Sequence, residues 1–294
     1  MRKLHFSILS ALLISGLSAC TKESVDPAVK FYDANDVEIK DYVTANKLNG
    51  TKLASGLYYY ITSPNPTGKL ATVGEELEFS YKVTNLKTGL LVDSSTTAAP
   101  VYYPLGIGSV FPGLEQGLSV MREGEKATLL IPSYLAYNDQ VRPTLPAYSV
   151  ARFDVSLARS RTEAQQIDDY ITRNKLVVTE TTTSGVRFIR TVTNAGGAVP
   201  ASGQILNVRY LGKQLRTASA FDSTGVGTFE ATLGQNKYAK GFEEGLSKMR
   251  VGEKATIIFP SSLGYGTAGV IQSNRYLIAP YAPLRFDLEL VSAK

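Results

Sequence analysis

Gly113–Tyr137 reads GLEQGLSVMREGEKATLLIPSYLAY, and Gly241–Tyr265 reads GFEEGLSKMRVGEKATIIFPSSLGY. The second block lies 128 residues after the first, and 16 of the 25 positions are identical. The similarity spreads outward from there. Asp41-Tyr42-Val43-Thr44 answers Asp169-Tyr170-Ile171-Thr172, Asn46-Lys47-Leu48 answers Asn174-Lys175-Leu176, and Ser55-Gly56-Leu57 answers Ser184-Gly185-Val186. Asp93-Ser94 answers Asp222-Ser223, and Arg152-Phe153-Asp154 answers Arg285-Phe286-Asp287. A solenoid repeat runs at about 20–50 residues, whereas this period is the length of a whole domain. The chain is a tandem duplication. Its expected parts are a first domain over residues 35–160 and a second over 161–294, divided at the polar stretch Arg159–Thr162 and each folding on its own core.

A chain of 294 residues with 44% hydrophobic and 19% charged residues is globular in composition. Its start is different. Arg2 and Lys3 precede an apolar run from Phe6 to Leu17 that is too short to span a bilayer. Residues 1–19 therefore read as a secretory signal. Residues 20–34 are polar, lack apolar periodicity and read as a tether. His5 is the only histidine and leaves with the leader, Cys20 is the only cysteine, and there is no tryptophan. The mature chain then has no material for a Ser-His-Asp triad, a Cys-His pair or a His/Cys zinc site. No disulfide can form within it, and no cofactor or metal is expected. The formal charge falls from +5 to +3 on loss of Arg2 and Lys3. That is too little and too evenly spread to argue for a nucleic-acid partner.

In the second repeat, apolar spacing from Ile167 to Leu176 predicts a short leading helix. Gly185–Thr193, Ile205–Leu211, Thr228–Leu233, Lys254–Pro260 and Leu284–Leu290 read as strands, most of them alternating. Between them the period changes, and Phe242, Leu246 and Met249 fall on one face of a short helix. An antiparallel sheet with one apolar face needs a partner, and this helix is the natural one. The fold class is α+β.

The tetrapeptide Leu17-Ser18-Ala19-Cys20 resembles the lipobox of bacterial lipoproteins, which implies cleavage before Cys20, lipidation of its sulfur and a membrane anchor. An ordinary signal peptide ending at small residues is the other reading. The larger resemblance is carried by Tyr210-Leu211-Gly212, Phe221-Asp222-Ser223, Gly241-Phe242-Glu243-Glu244-Gly245-Leu246, Met249-Arg250-Val251-Gly252-Glu253-Lys254, Leu263-Gly264-Tyr265-Gly266 and Leu284-Arg285-Phe286-Asp287-Leu288-Glu289-Leu290. In this order they resemble the FK506-binding-protein family of peptidyl-prolyl isomerases over about residues 185–292. The first repeat resembles it less closely over 56–159. The resemblance implies two domains, each a five-stranded antiparallel half-barrel around one short helix.

It also implies a shallow apolar pocket for a proline ring. By matching position, Tyr210, Phe229, Phe242 and Phe286 would line it, and Phe221 would pack beside Asp222. Tyr238 and Ala239 would form the rim, where a backbone N–H meets the substrate carbonyl. Asp222 and Tyr265 would be its polar groups, and Ile278 would come from the loop that covers it. The first repeat keeps Tyr81, Asp93, Phe111, Tyr137 and Phe153, but has Val92, Val101 and Leu114 where the second has Phe221, Phe229 and Phe242. It is expected to be weak or inactive. The second repeat departs from the family too, with Phe242 where tryptophan is usual.

Two functions of different class follow. One is a lipid-anchored isomerase of the cell envelope, acting on proline-containing segments of exported proteins on the periplasmic or surface face of a membrane. The other is a non-catalytic binding or chaperone lipoprotein that holds a partner segment. Fold alone does not choose between them, because function resides in the site.

Overall fold

The computed structural model describes residues 27–294; the leader and Cys20 lie outside the described residues. Helix α1 (Pro27–Ala45) starts inside the stretch expected to be a tether. The reason is tertiary. The Phe31 ring stacks on Tyr148 at 4.3 Å. The Asn35 side-chain amide donates to the Tyr148 carbonyl at 2.8 Å, and its oxygen accepts from the Ser133 N–H at 2.7 Å. With Ile39 buried as well, residues 31, 35 and 39 form one helical face against the first repeat. A stripe seated through an asparagine escapes a search for apolar periodicity.

The first sheet contains β1 (Thr51–Lys52), β2 (Tyr58–Ser63), β3 (Glu76–Asn85), β4 (Leu91–Ser94), β5 (Val101–Pro104), β6 (Lys126–Ile131) and β7 (Ala151–Arg161). Its order is β1-β2-β6-β7-β3-β4, with β5 also on β3, and every pairing is antiparallel. Since β4 and β5 both pair with β3, they are two halves of one interrupted edge strand. Five strands and a two-residue edge segment result. Helix α2 (Pro112–Ser119) lies across the sheet's inner face.

The second repeat follows the same plan. Helix α3 (Glu163–Arg173) leads into it. It begins four residues before the expected Ile167, because Thr162 and Gln165 form a reciprocal capping box. The strands are β8 (Glu180–Thr181), β9 (Arg187–Val192), β10 (Ile205–Gln214), β11 (Asp222–Ser223), β12 (Phe229–Thr232), β13 (Lys254–Phe259), the hairpin β14 (Val270–Gln272) and β15 (Arg275–Ile278), and β16 (Leu284–Ala293). The order β11-β10-β16-β13-β9-β8, with β12 on β10, repeats the first sheet. Helix α4 (Lys240–Ser247) packs on it.

The glycines of α2 and α4 set how closely helix and sheet approach. A Cβ on Gly241 would lie 2.4 Å from Phe259 Cγ, and one on Gly245 would lie 2.6 Å from Ile257 Cδ1. Gly113 and Gly117 meet Ile131 and Leu129 in the same way. Two glycines weaken a short helix by propensity, so tertiary packing decides here. Gly241→Ala is expected to lower stability by about 1–3 kcal/mol, the usual cost of overpacking. Thermal unfolding of the variant checks it, and an unchanged melting temperature refutes the packing argument.

The repeats meet through charge. Arg161, the last residue of β7, has a side chain only 5% exposed. Its guanidinium lies 3.0 Å from Glu76, 2.9 Å from Glu78 and 3.0 Å from Asp169 of α3. Arg216, in the segment after β10, also pairs with Glu76 and lies 3.5 Å above the Tyr102 ring. The expected division at 160/161 thus falls inside strand β7, at the residue that joins the two halves.

Candidate functional site

The second sheet and α4 enclose a cavity of about 440 Å³. The strand register places its walls. Gly212 of β10 stands opposite Phe286 of β16, and Val208 opposite Phe229 of β12. A Cβ on Gly212 would come within 2.7 Å of Phe221 and 2.8 Å of Phe286. Glycine there is what lets the two rings meet, edge to face at 5.6 Å. Tyr210 contacts Phe229 at 5.8 Å, Phe242 at 5.6 Å and Phe286 at 6.0 Å. Phe242 and Phe286 are 5.2 Å apart at the floor, and Tyr238 closes one side against Phe229 at 5.4 Å. Edge-to-face rings hold one another's orientation, so the bowl is stiff before anything enters it.

Its polar groups are few and fixed. The Tyr210 hydroxyl donates to Asp222 Oδ2 at 2.7 Å, and Asp222 Oδ1 accepts from the Ser223 N–H at 2.8 Å. Burial, then the hydrogen bond and charge of Asp222, pushes the Tyr210 phenol far above its usual range. Tyr265 is raised by burial and then by Asp222; its ring stands at the mouth, 41% exposed. The rim loop is tied down by Glu243, whose buried carboxylate accepts from the Tyr238 N–H at 3.2 Å and the Asn236 N–H at 3.3 Å. The next residue, Ala239, caps α4 without a side-chain bond. Its own N–H has no acceptor among the described residues, leaving a donor at the cavity edge.

Nine of the ten residues expected in the second repeat line this cavity: Tyr210, Phe221, Asp222, Phe229, Tyr238, Ala239, Phe242, Tyr265 and Phe286. Ile278 does not. It lies in β15, paired with Val270, and is 2% exposed within the core. The expected covering loop is a hairpin, turned by Ser273 and Asn274 at φ 49° and 59°. That turn geometry suits a two-residue hairpin. Gln214 ties this hairpin to β10, bonding the Leu277 carbonyl at 3.1 Å and the Ala279 N–H at 3.0 Å. Lys237 and Gly264 also line the cavity and were not anticipated. Lys237 sits in an exposed loop with no periodicity to mark it, whereas Gly264 belongs to the quoted Leu263–Gly266 motif.

The first repeat keeps the polar pair beneath a more buried rim. The Tyr81 hydroxyl donates to Asp93 Oδ2 at 2.8 Å, and burial followed by Asp93 pushes its phenol up to about 12. Tyr81 lies 6.2 Å from Phe153. Val83 occupies the place of Gly212, opposite Phe153, and is fully buried. Phe111 stands where Ala239 does, capping its helix. Its ring lies 4.5 Å from Tyr137 and 6.3 Å from Phe153. Tyr137 is 6% exposed, against 41% for Tyr265.

Among the described residues no group of three or more His, Cys, Asp or Glu side chains is placed to hold a metal, and no helix is long and apolar enough to cross a membrane.

The sequence profile of FKBP-type peptidyl-prolyl cis-trans isomerases matches residues 68–158 and 196–291, more than half of the chain. Human FKBP9, a peptidyl-prolyl cis-trans isomerase by name, is 29% identical over 231 residues, covering 78% of this chain and 36% of its own. Human FKBP10 is 30% identical over 225 residues, covering 76% and 35%. The chain thus spans about a third of the length of these relatives. Among solved structures, the three FKBP domains of wheat FKBP73 match at 18% identity and a TM-score of 0.40, over 84% of this chain and 99% of that one. FkpA from Escherichia coli matches at 27% identity and a TM-score of 0.38, over 46% and 62%. With the profile matching once on each sheet, the chain belongs to the FKBP-type peptidyl-prolyl cis-trans isomerase family.

Proposed function

We propose that the second repeat catalyses cis–trans isomerisation of X–Pro bonds in exported polypeptides, at a membrane of the cell envelope to which Cys20 anchors the chain. The observation that carries the catalytic part is the open aromatic bowl with a free backbone N–H at its rim. Rotation about a peptide bond faces a barrier of about 18–20 kcal/mol, because resonance stabilises the planar amide. X–Pro bonds populate both isomers and exchange over tens to hundreds of seconds. Catalysis requires a site that favours the twisted amide over either planar form, and each factor of ten in rate takes about 1.4 kcal/mol.

The parts suit that task. The proline ring enters between Phe229, Phe242 and Phe286, which keep water from solvating the dipolar planar amide. The Ala239 N–H holds the displaced carbonyl, a preorganised donor aimed where the amide turns. Asp222 holds the Tyr210 hydroxyl so that the ring does not swing into the cavity. No covalent step is needed. The test is the rate of isomerisation of a Leu–Pro tetrapeptide by the full chain. Wild-type protein with no acceleration over solvent would leave the second reading, a binding or chaperone protein. That reading draws support from the first repeat, where the fold persists around a bowl with fewer aromatic walls and a buried rim tyrosine.

The anchor has its own test. One acyl chain binds a bilayer marginally and two hold firmly, so Cys20→Ala is expected to move the protein from the membrane fraction to the soluble one. Retention of Cys20→Ala in the membrane fraction at the wild-type level refutes the lipid anchor.

A further inference from the structure

The two bowls differ at the residue that precedes their helix. In the second repeat the residue before the helix is Ala239, a methyl group at the rim, and the cavity between Phe286 and Tyr265 is open. In the first repeat that residue is Phe111. Its ring reaches both counterpart walls, Tyr137 at 4.5 Å and Phe153 at 6.3 Å. Tyr137 is correspondingly buried where Tyr265 is exposed. The backbone at the position is alike, with φ and ψ of −57° and 135° at Phe111 and −53° and 131° at Ala239, and the preceding loops turn left-handed at matching places, Gly106 and Gly108 in one and Gly234 and Asn236 in the other. The contrast is therefore one of side chain, not of loop path.

We propose that this position decides whether an FKBP-type bowl in this chain accepts a proline segment, and that Phe111 is the built-in occupant that closes the first one. The inference rests on the reading of the second bowl as a proline site. A tethered ring competes at high effective concentration, because its binding costs no translational freedom. A peptide proline must displace it before touching Phe153. Val83 adds to the closure by filling the space that Gly212 leaves for Phe221 and Phe286 in the second repeat. The Tyr81–Asp93 pair then survives as a structural bond under a filled bowl. On this view the first repeat has not only lost wall rings at Val92, Val101 and Leu114. It is also closed by an aromatic ring of its own.

The exchange is tested in both directions on the full chain. Ala239→Phe is expected to lower kcat/KM toward a Leu–Pro tetrapeptide at least tenfold, and to lower the hydroxyl-radical footprint of Tyr265 to the level of Tyr137. Phe111→Ala is expected to raise the Tyr137 footprint several-fold. Footprinting reads exposure, so it decides the matter even if wild-type protein proves inactive; inactivity would sink the enzymatic reading and not this one. If Phe111→Ala does not fold, Phe111→Val keeps β-branched bulk at the rim while withdrawing the ring. An Ala239→Phe protein with wild-type activity and an unchanged Tyr265 footprint overturns the proposal. So does a Tyr137 that stays protected in a folded Phe111 variant.

Discussion

Replacing Phe286 with leucine is expected to lower kcat/KM for X–Pro isomerisation by about 10–100-fold while the second repeat stays folded. Phe286 is 5% exposed and touches four rings: Phe242 at 5.2 Å, Phe221 at 5.6 Å, Tyr210 at 6.0 Å and Phe259, stacked, at 5.8 Å. The first three line the cavity, whereas Phe259 lies behind the wall in the core. An aromatic pair contributes about 0.5–1.5 kcal/mol beyond its buried area. Leucine withdraws the aromatic face that Phe286 offers the proline ring, and losing about 1.4–2.7 kcal/mol of contact to the twisted amide corresponds to about 10–100-fold. Leucine is the informative replacement. Alanine would cost about 3–5 kcal/mol of stability as well, and a lost rate could then be a lost fold. Circular dichroism and thermal unfolding accompany the kinetics. The matching change Phe153→Leu, behind the ring of Phe111, is expected to leave the rate alone. A Phe286→Leu enzyme with wild-type kcat/KM would show that the proline ring seats elsewhere.

How much of this was legible beforehand depended on the range of the interaction that fixes each residue. The duplication could be read because it is a statement about sequence. The bowl could be read almost whole, since Tyr210, Phe229 and Phe286 take their places from strand register, and strand register follows from alternation. The hairpin that carries Ile278 is hidden in the sequence because its turn uses two left-handed residues, Ser273 and Asn274, and neither is glycine, the usual mark of such a turn. Phe111 reads in the sequence only as one of the first repeat's retained site residues, and the direction of its ring, toward Tyr137 and Phe153, is set by tertiary packing. The helical start of α1 was missed because Asn35, not an apolar residue, seats it on Ser133 and Tyr148. Glu76 is buried between two arginines that are distant in sequence, a pairing that no local pattern marks.

That junction carries the other large expected effect. Arg161→Met should destabilise the chain by about 3–5 kcal/mol, the usual cost of removing one partner from a buried ionic cluster. The side chain is 5% exposed, and Glu76 beside it is 8% exposed. Methionine fills the volume but leaves Glu76 and Glu78 buried with one fewer cation. Arg216 still reaches Glu76, which caps the loss. Arg161→Lys should recover little. The guanidinium directs Nη2 to Glu76 and Glu78 and Nη1 to Asp169, and an ammonium is a single point charge without that fork. Because Asp169 belongs to α3 and Glu76 to β3, the same change loosens the second repeat from the first. For a repeat of this size a kilocalorie moves the midpoint by about 4 °C, so the first transition should fall by about 10 °C or more and separate from the second. Arg161 and Glu76 are nearly dry, whereas Asp169 is 43% exposed, and buried pairs are screened far less than exposed ones. Added salt should therefore leave the wild-type midpoint nearly constant. A single transition in Arg161→Met, within a degree or two of wild type, would mean that the carboxylates find water instead, and that the repeats are joined only by their covalent link.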